Sequence, residues 1–408
     1  MIQSLLFWEV LFGAVVGYWL LPPRLRDGFL FFVSAGYLAT LAPWSVAGLI
    51  GLTALFKLLS PRLVGETRTA ERILVVSVLA VSASLAFFKF APPILTALHG
   101  SRVESMVLVP LGISYYSFKL IHYAVEVARE NIEPAPWDTF LAYMFLFPTF
   151  TAGPIERYDH LLAHRESRLS RDMVVEGGTR IVIGLIKTGF VSELVRQVMS
   201  LGIPNNAFLL DHLATTSTPQ VWLVILRTYL LVYLGFSGYT DVAIGASRLF
   251  GIGIMENFNF PIFARSISEY WSRWHMSLSR WCQAYVYMPT LARARSPYLA
   301  LNASFFVIGM WHSSTITRLL WELWHSWGSI AYMVWSRSRR KRGWTVFDRR
   351  IFVVPAILVG EDSTGFTQGL RVLAKMAFIT CRSDVAALSL PSEATARLSP
   401  GPQQARPR

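Results

Sequence analysis

Long stretches of this chain carry no charge. Residues 28–56, 73–88, 105–118, 139–155, 197–210 and 296–317 contain no Asp, Glu, Lys or Arg. A helix needs about 20 apolar residues to cross the hydrocarbon core of a bilayer. The 29 residues of 28–56 and the 22 of 296–317 meet that length. The shorter runs must borrow flanking charged residues, re-enter, or be covered by other helices. The pattern predicts an all-α, polytopic integral membrane protein with about ten spanning or re-entrant helices. Polar residues recur inside the uncharged runs, and lipid exposure would penalise them. They are therefore expected to face a central polar tunnel. A soluble protein with a large core would have to hide all of 28–56.

The first apolar run, 2–21, lacks the features of a cleaved signal. No Lys or Arg precedes it, Glu9 interrupts it, and Pro22-Pro23-Arg24 follows where small residues would mark cleavage. It is expected to stay as a first helix. Arg24 and Arg26 just after it favour an outside N-terminus. Residues 1–90 read as plain apolar helix and turn with no polar constellation. Residues 110–171 are polar and punctuated by Gly and Pro. Residues 239–335 hold the densest mixture of aromatic and polar side chains. Residues 1–342 are expected to form the membrane-embedded domain, with its motif-bearing core at 110–328. The remainder, 343–408, has weak apolar stretches at 351–360 and 369–380 and a tail at 391–408 of disordered composition. No repeat of fixed period is present.

Composition supports a membrane protein. The chain is 53% hydrophobic and 14% aromatic, with 15% charged residues and a mean hydropathy of +0.42; soluble domains carry about 25% charge. The formal net charge is +13. It is spread over loops at Arg62, Arg68 and Arg72, at Arg157, Arg165, Arg168 and Arg171, and at Arg337, Arg339, Arg340, Lys341 and Arg342. That distribution reads as topology and attraction to anionic headgroups, with the last cluster marking the cytoplasmic side. No aromatic platform interleaves with these charges, so nucleic acid is rejected as a partner. The two cysteines, Cys282 and Cys381, form neither a disulfide framework nor a zinc spacing, and no metal site is expected.

Candidate chemistry concentrates in the aromatic region. His312 lies inside the uncharged run 296–317, where an imidazole needs a partner, a wet cavity or a task. It follows Trp311. Two more Trp-His pairs, Trp274-His275 and Trp324-His325, lie 37 positions before and 13 after. Each histidine could also be a satisfied packing residue, His325 more readily than the others. Gly235 and Gly238 should let helices or a substrate approach the backbone closely, and Asp241 must pair with a base or sit in water. Ser266 and Glu269 have the spacing of a capping box. They predict a helix from 268 to about 287, with Tyr270, Trp274 and Trp281 on one side and Trp271, His275 and Leu278 on an adjacent strip. Cys282 reads as a small buried residue.

These residues carry a family resemblance. Phe236-Ser237-Gly238-Tyr239-Thr240-Asp241, Glu256-Asn257-Phe258-Asn259-Phe260-Pro261 and Tyr270-Trp271-Ser272-Arg273-Trp274-His275 resemble motifs of the membrane-bound O-acyltransferase (MBOAT) family. The likeness is to the bacterial branch holding the alginate O-acetyltransferase membrane subunit and the D-alanyl-lipoteichoic acid transfer protein. Pro110-Leu111-Gly112-Ile113-Ser114, Ala152-Gly153-Pro154-Ile155 and Gly309-Met310-Trp311-His312 agree in order. The sequence departs at Gln283-Ala284, where the family often reads Arg-Asp, and at Ser313, where it reads Gly.

The resemblance implies the MBOAT fold, a bacterial inner-membrane location and an acyltransferase. His312 corresponds to the catalytic histidine, and His275 to a second polar residue in the same tunnel. Asp241, Tyr239, Asn257, Trp274, Trp311 and Tyr285 are candidates for lining substrate or tunnel. No bound cofactor is expected. The implied donor is an acyl thioester, acetyl-CoA first and an acylated carrier protein second. The implied acceptor is an extracytoplasmic polysaccharide, reached through a periplasmic SGNH-type transferase. Two classes stay open: this enzyme, or a catalytically silent scaffold of a polysaccharide modification or export complex. A transporter is a distant third.

Overall fold

A computed structural model describes residues 2–99, 110–200, 212, 216–312 and 316–343. The C-terminal stretches at 351–360, 369–380 and 391–408 lie outside these residues, as do 105–109 and most of 197–210. The described chain is α-helical. Helices run Leu5–Leu20, Arg26–Leu41, Pro43–Leu59, Arg68–His99 and Ile113–Ala128, then Trp137–Phe145, Tyr158–Ala163, Arg171–Leu185 and Ser192–Val198. After these come Thr218–Leu249, Ile267–Arg273, Met276–Cys282, Met288–Ala294, Pro297–His312 and Ile316–Lys341.

The uncharged run 28–56 divides where Pro43 starts a new helix, since proline's fixed φ and missing amide suit a first turn. Three described helices are long and apolar enough to cross a membrane unaided: Pro43–Leu63, Arg68–Leu95 and Pro219–Leu249. Only 6% of the Arg68–Leu95 window is buried. Its outward Val75, Val76 and Leu79 are exposed apolar residues. In water such a surface would collapse or aggregate, so hydrocarbon is its solvent. Other helices are shorter or, like Ile316–Lys341, more polar.

The closest helix pairing joins Arg171–Leu185 to Thr218–Leu249, and glycine makes it possible. A Cβ on Gly184 would lie 2.5 Å from the Gly238 carbonyl oxygen, and one on Gly245 would lie 2.4 Å from that of Gly177. Lipid gives no hydrophobic drive between helices, so close backbone packing takes its place. Gly238 therefore has the predicted role. At Gly235 no helix comes close: nothing among the described residues lies within 4 Å of where its Cβ would be.

The N-terminal third is not devoid of polar structure, contrary to the sequence reading. Asp27 accepts hydrogen bonds from Thr139 at 2.9 Å and from the Arg165 guanidinium at 2.8 Å, and Arg165 also donates to the Tyr18 hydroxyl. This cluster fastens the first two helices to the loop after Tyr158–Ala163. Single charges in an apolar run gave no hint of partners 112 and 138 positions away.

Candidate active site

The largest departure from the predicted elements lies at His275. The expected helix over 268–287 breaks into Ile267–Arg273, Met276–Cys282 and a π-helical stretch, Gln283–Tyr287. Ser266 does cap the first piece, accepting from the Glu269 amide at 3.2 Å. The Glu269 side chain reaches back one residue further than a capping box requires, to the Arg265 amide at 2.7 Å. The break comes because His275 adopts φ 44°, ψ 53°, the left-handed region that a residue with a Cβ rarely occupies. Such strain persists only where surroundings over-determine it, and it clusters at functional sites.

Asn257 supplies that determination. Its backbone carbonyl accepts from the Met276 amide at 2.8 Å. Its side-chain Oδ1 accepts from the Ser277 hydroxyl at 2.8 Å and the Ser277 amide at 3.3 Å. Ser277 in turn accepts from the Ile155 amide at 3.0 Å, which fixes its hydroxyl proton toward Asn257. The third contact to Oδ1 is His275 Nδ1 at 3.0 Å. An amide oxygen surrounded by donors can only accept, so Nδ1 carries the proton. The lone pair of His275 therefore sits on Nε2, and that buried nitrogen has no hydrogen-bond partner among the described residues. Two motifs, 152–155 and 256–261, thus meet in one hydrogen-bonded cradle whose product is an oriented, unprotonated ring nitrogen.

The ring of His275 lies 5.9 Å from that of Trp311 and 4.9 Å from that of Phe236. Trp311 stands 4.4 Å from His312, centroid to centroid. The two Trp-His pairs 37 positions apart in sequence therefore converge through one indole, with Trp311 as the wall between two imidazoles. His275 is fully enclosed, whereas His312, at the last turn of Pro297–His312, is partly accessible. Lys89 Nζ donates to the carbonyl of Trp311, and at 3.4 Å to that of His312. A cation is favoured at a helix C-terminus, where carbonyls lack intrahelical partners. This residue was not found from sequence. Its signal was a lone lysine directly after the uncharged run 73–88.

The remaining candidates are placed elsewhere. Asp241 takes the first of its two alternatives: it pairs with Lys187 at 2.6 Å and Arg180 at 2.8 Å, and Arg180 also meets Glu256. This network rivets the glycine-packed helices together. Tyr239 shares a 2.8 Å hydrogen bond with Thr151 and holds the loop that carries Ile155. Trp274 packs with Tyr229, Tyr233, Phe258 and Tyr270, on an aromatic cluster beside the cradle. Tyr285 joins His122 and Glu126, which the sequence reading missed. His122 Nε2 accepts from the Tyr158 amide at 2.9 Å, so its Nδ1–H donates to the Tyr285 hydroxyl at 2.7 Å. That hydroxyl then donates to Glu126 at 2.8 Å. His325 is buried against Trp271 and Trp321. Among the described residues no cluster of His, Cys, Asp and Glu is arranged to hold a metal.

Comparison with known proteins places this helical membrane body in a family. The membrane-bound O-acyltransferase family, MBOAT, matches residues 29–359. The chain belongs to that family. Like its other members it is an integral membrane protein. It is 33% identical over 277 residues to "Probable alginate O-acetylase AlgI" of Pseudomonas aeruginosa, covering 64% of this chain and 51% of that protein. It is 27% identical over 266 residues to "Teichoic acid D-alanyltransferase" of Bacillus subtilis, covering 61% of this chain and 65% of that one. It is also 27% identical over 309 residues to "Peptidoglycan O-acetyltransferase" of Helicobacter pylori, covering 67% and 57%. The match thus spans about half the length of the alginate relative.

Proposed function

We propose that this chain transfers an acyl group, acetyl in the first instance, from a cytoplasmic thioester toward an extracytoplasmic polysaccharide. The observation that carries this reading is the oriented His275 Nε2 beside Trp311 and His312. Acyl transfer from a thioester to a hydroxyl forms one C–O bond and breaks one C–S bond. The hydroxyl proton leaves as the C–O bond forms, and a proton must reach the departing thiolate. An imidazole performs both transfers near neutral pH. His312 is the more accessible of the two and takes the role of proton carrier. His275, held in one tautomer, offers the second acceptor. The relatives' names support an acyl acceptor on a cell-envelope polymer.

The donor we favour is acetyl-CoA, whose phosphates suit the basic end at Arg337–Arg342. Among the described residues no loop is long enough to form a glycan-binding domain, and the recipient we favour for the acyl group is a periplasmic SGNH-type transferase. The experiment is ester content of envelope polysaccharide in a deletion strain complemented with His312→Ala. We expect ester to be lost while the protein still inserts. Wild-type ester would remove His312 from the chemistry. Purified protein with labelled acetyl-CoA tests the donor, and turnover only with an acylated carrier protein would replace it. Full-rate acetylation of soluble glycan by the chain alone would dispense with the partner.

A further inference from the structure

A cavity of about 500 Å³ opens between the segment that follows His275 and the hairpin of Pro297–His312 with Ile316–Lys341. Its wall is hydrocarbon and aromatic, with Trp271, Phe305 and Ile308. Its polar lining includes Arg280, Gln283 and Tyr287. Small-molecule sites run from about 300 to 1,000 Å³. Gln283 and Tyr287 are the first and last residues of the π-helical stretch, a widened turn of the kind that recurs at functional sites. Neither His275 nor His312 lines this space, although Ile308 stands one turn before His312.

The charge around it is one-sided. Between residues 270 and 343 there are ten Lys and Arg and a single acid, Glu322. Glu322 is buried and offsets at most one of these charges. Arg280 is exposed and has no ion pair among the described residues. Met333 in the cavity wall lies one turn before Arg337, which sits 5.9 Å over the ring of Tyr298. The cavity is therefore at the end of the hairpin where Arg293, Arg295, Arg337, Arg340 and Lys341 are exposed. The positive-inside rule accounts for such a cluster beside a membrane. It does not account for a hydrocarbon-walled cavity with an unpaired guanidinium in its lining.

We propose that this cavity binds an anionic phospholipid, with its phosphate at Arg280 and the adjoining basic end and one acyl chain along Trp271, Phe305 and Ile308. An arginine meets phosphate with a rigid fork of donors, and basic residues next to a membrane select anionic headgroups. The apolar wall decides between this occupant and the thioester donor. Acetyl-CoA has phosphates for the basic end but no chain for the wall. The lipid would share its basic end with the donor proposed above, and the displacement arm of the test distinguishes the two.

The test uses the full chain in detergent, stripped of lipid and incubated with phosphatidylglycerol bearing a photoreactive acyl chain. Cross-linked peptides are then mapped by mass spectrometry. We expect label within 271–287 and 301–308, about fivefold stronger than from phosphatidylcholine with the same chain, and about fivefold weaker in Arg280→Gln. Arg280 is exposed, so this variant keeps the fold; Ile308→Trp, which fills the cavity, should abolish label at the same peptides. Equal labelling from phosphatidylcholine, label confined to other helices, or an unchanged Arg280→Gln protein would each overturn the proposal. Displacement of the lipid by acetyl-CoA would also overturn it and give the cavity to the donor.

Discussion

Two buried histidines in this molecule are handled in opposite ways. His122 has both ring nitrogens engaged, one by the Tyr158 amide and one by the Tyr285 hydroxyl. His275 has one nitrogen engaged by Asn257 and the other without a partner among the described residues. Burying a polar atom without a partner costs about 1–3 kcal/mol. The first arrangement incurs no such penalty and works as a bracket, tying the Ile113–Ala128 helix to the loop before Tyr158 and to the π-helical stretch. The second incurs the penalty and adds a left-handed backbone. A fold tolerates that combination when the open nitrogen is useful.

The comparison can be broken most sharply at the cradle. His275→Ala should lower acyl transfer by about 10²- to 10⁴-fold, the range for loss of a proton-transfer group, while the melting temperature holds or rises. Asn257→Leu should lose on the order of 10²-fold, because the imidazole can then take the wrong tautomer. Specific activity per folded protein is the measurement, and wild-type rates in both variants would make His275 another bracket. His122→Ala should do the reverse. We expect a loss of about 1–3 kcal/mol in stability from the orphaned Tyr158 amide, with activity per folded molecule retained. A collapse of activity at unchanged stability would erase the distinction.

A weaker effect sharpens the same contrast away from the site. His160 Nδ1 lies 2.6 Å from the Glu156 carboxylate, and that hydrogen bond raises the imidazole's pKa above its ordinary value despite partial burial. A raised folded-state pKa adds stability that is fully present below the ordinary value of about 6.5 and fades as pH climbs through the folded value. The melting temperature of wild type should therefore fall relative to His160→Gln as pH rises from about 6 to about 9. A constant gap across that range would mean the pair carries no charge.

Much of this was legible before any coordinates. Uncharged runs long enough for a bilayer gave the helical membrane body, and tryptophan beside histidine gave the residues that meet. What stayed hidden follows from physics that acts across sequence distance. Periodicity assumes an unbroken helix, so it carried His275 along a continuous strip. The break depends on Asn257, 18 positions earlier. His122 and Tyr285 are 163 positions apart, and neither has a neighbour that announces the other. Trp274 and Tyr239 read as lining because they are aromatic residues in a motif. Their contacts show that a motif also records what holds a loop still.

Lys89 carries a consequence for how the chain is made. Its ammonium caps carbonyls at positions 311 and 312, which emerge from the ribosome more than 220 residues later. At about 5–20 residues per second, that is a wait of roughly 10–40 s. During it a lysine must sit in or near hydrocarbon without those acceptors, so its helix is expected to insert shallowly, with the side chain snorkelling toward the headgroups. The last step of assembly would then be a downward shift of that helix, timed by the arrival of the segment that bears His312.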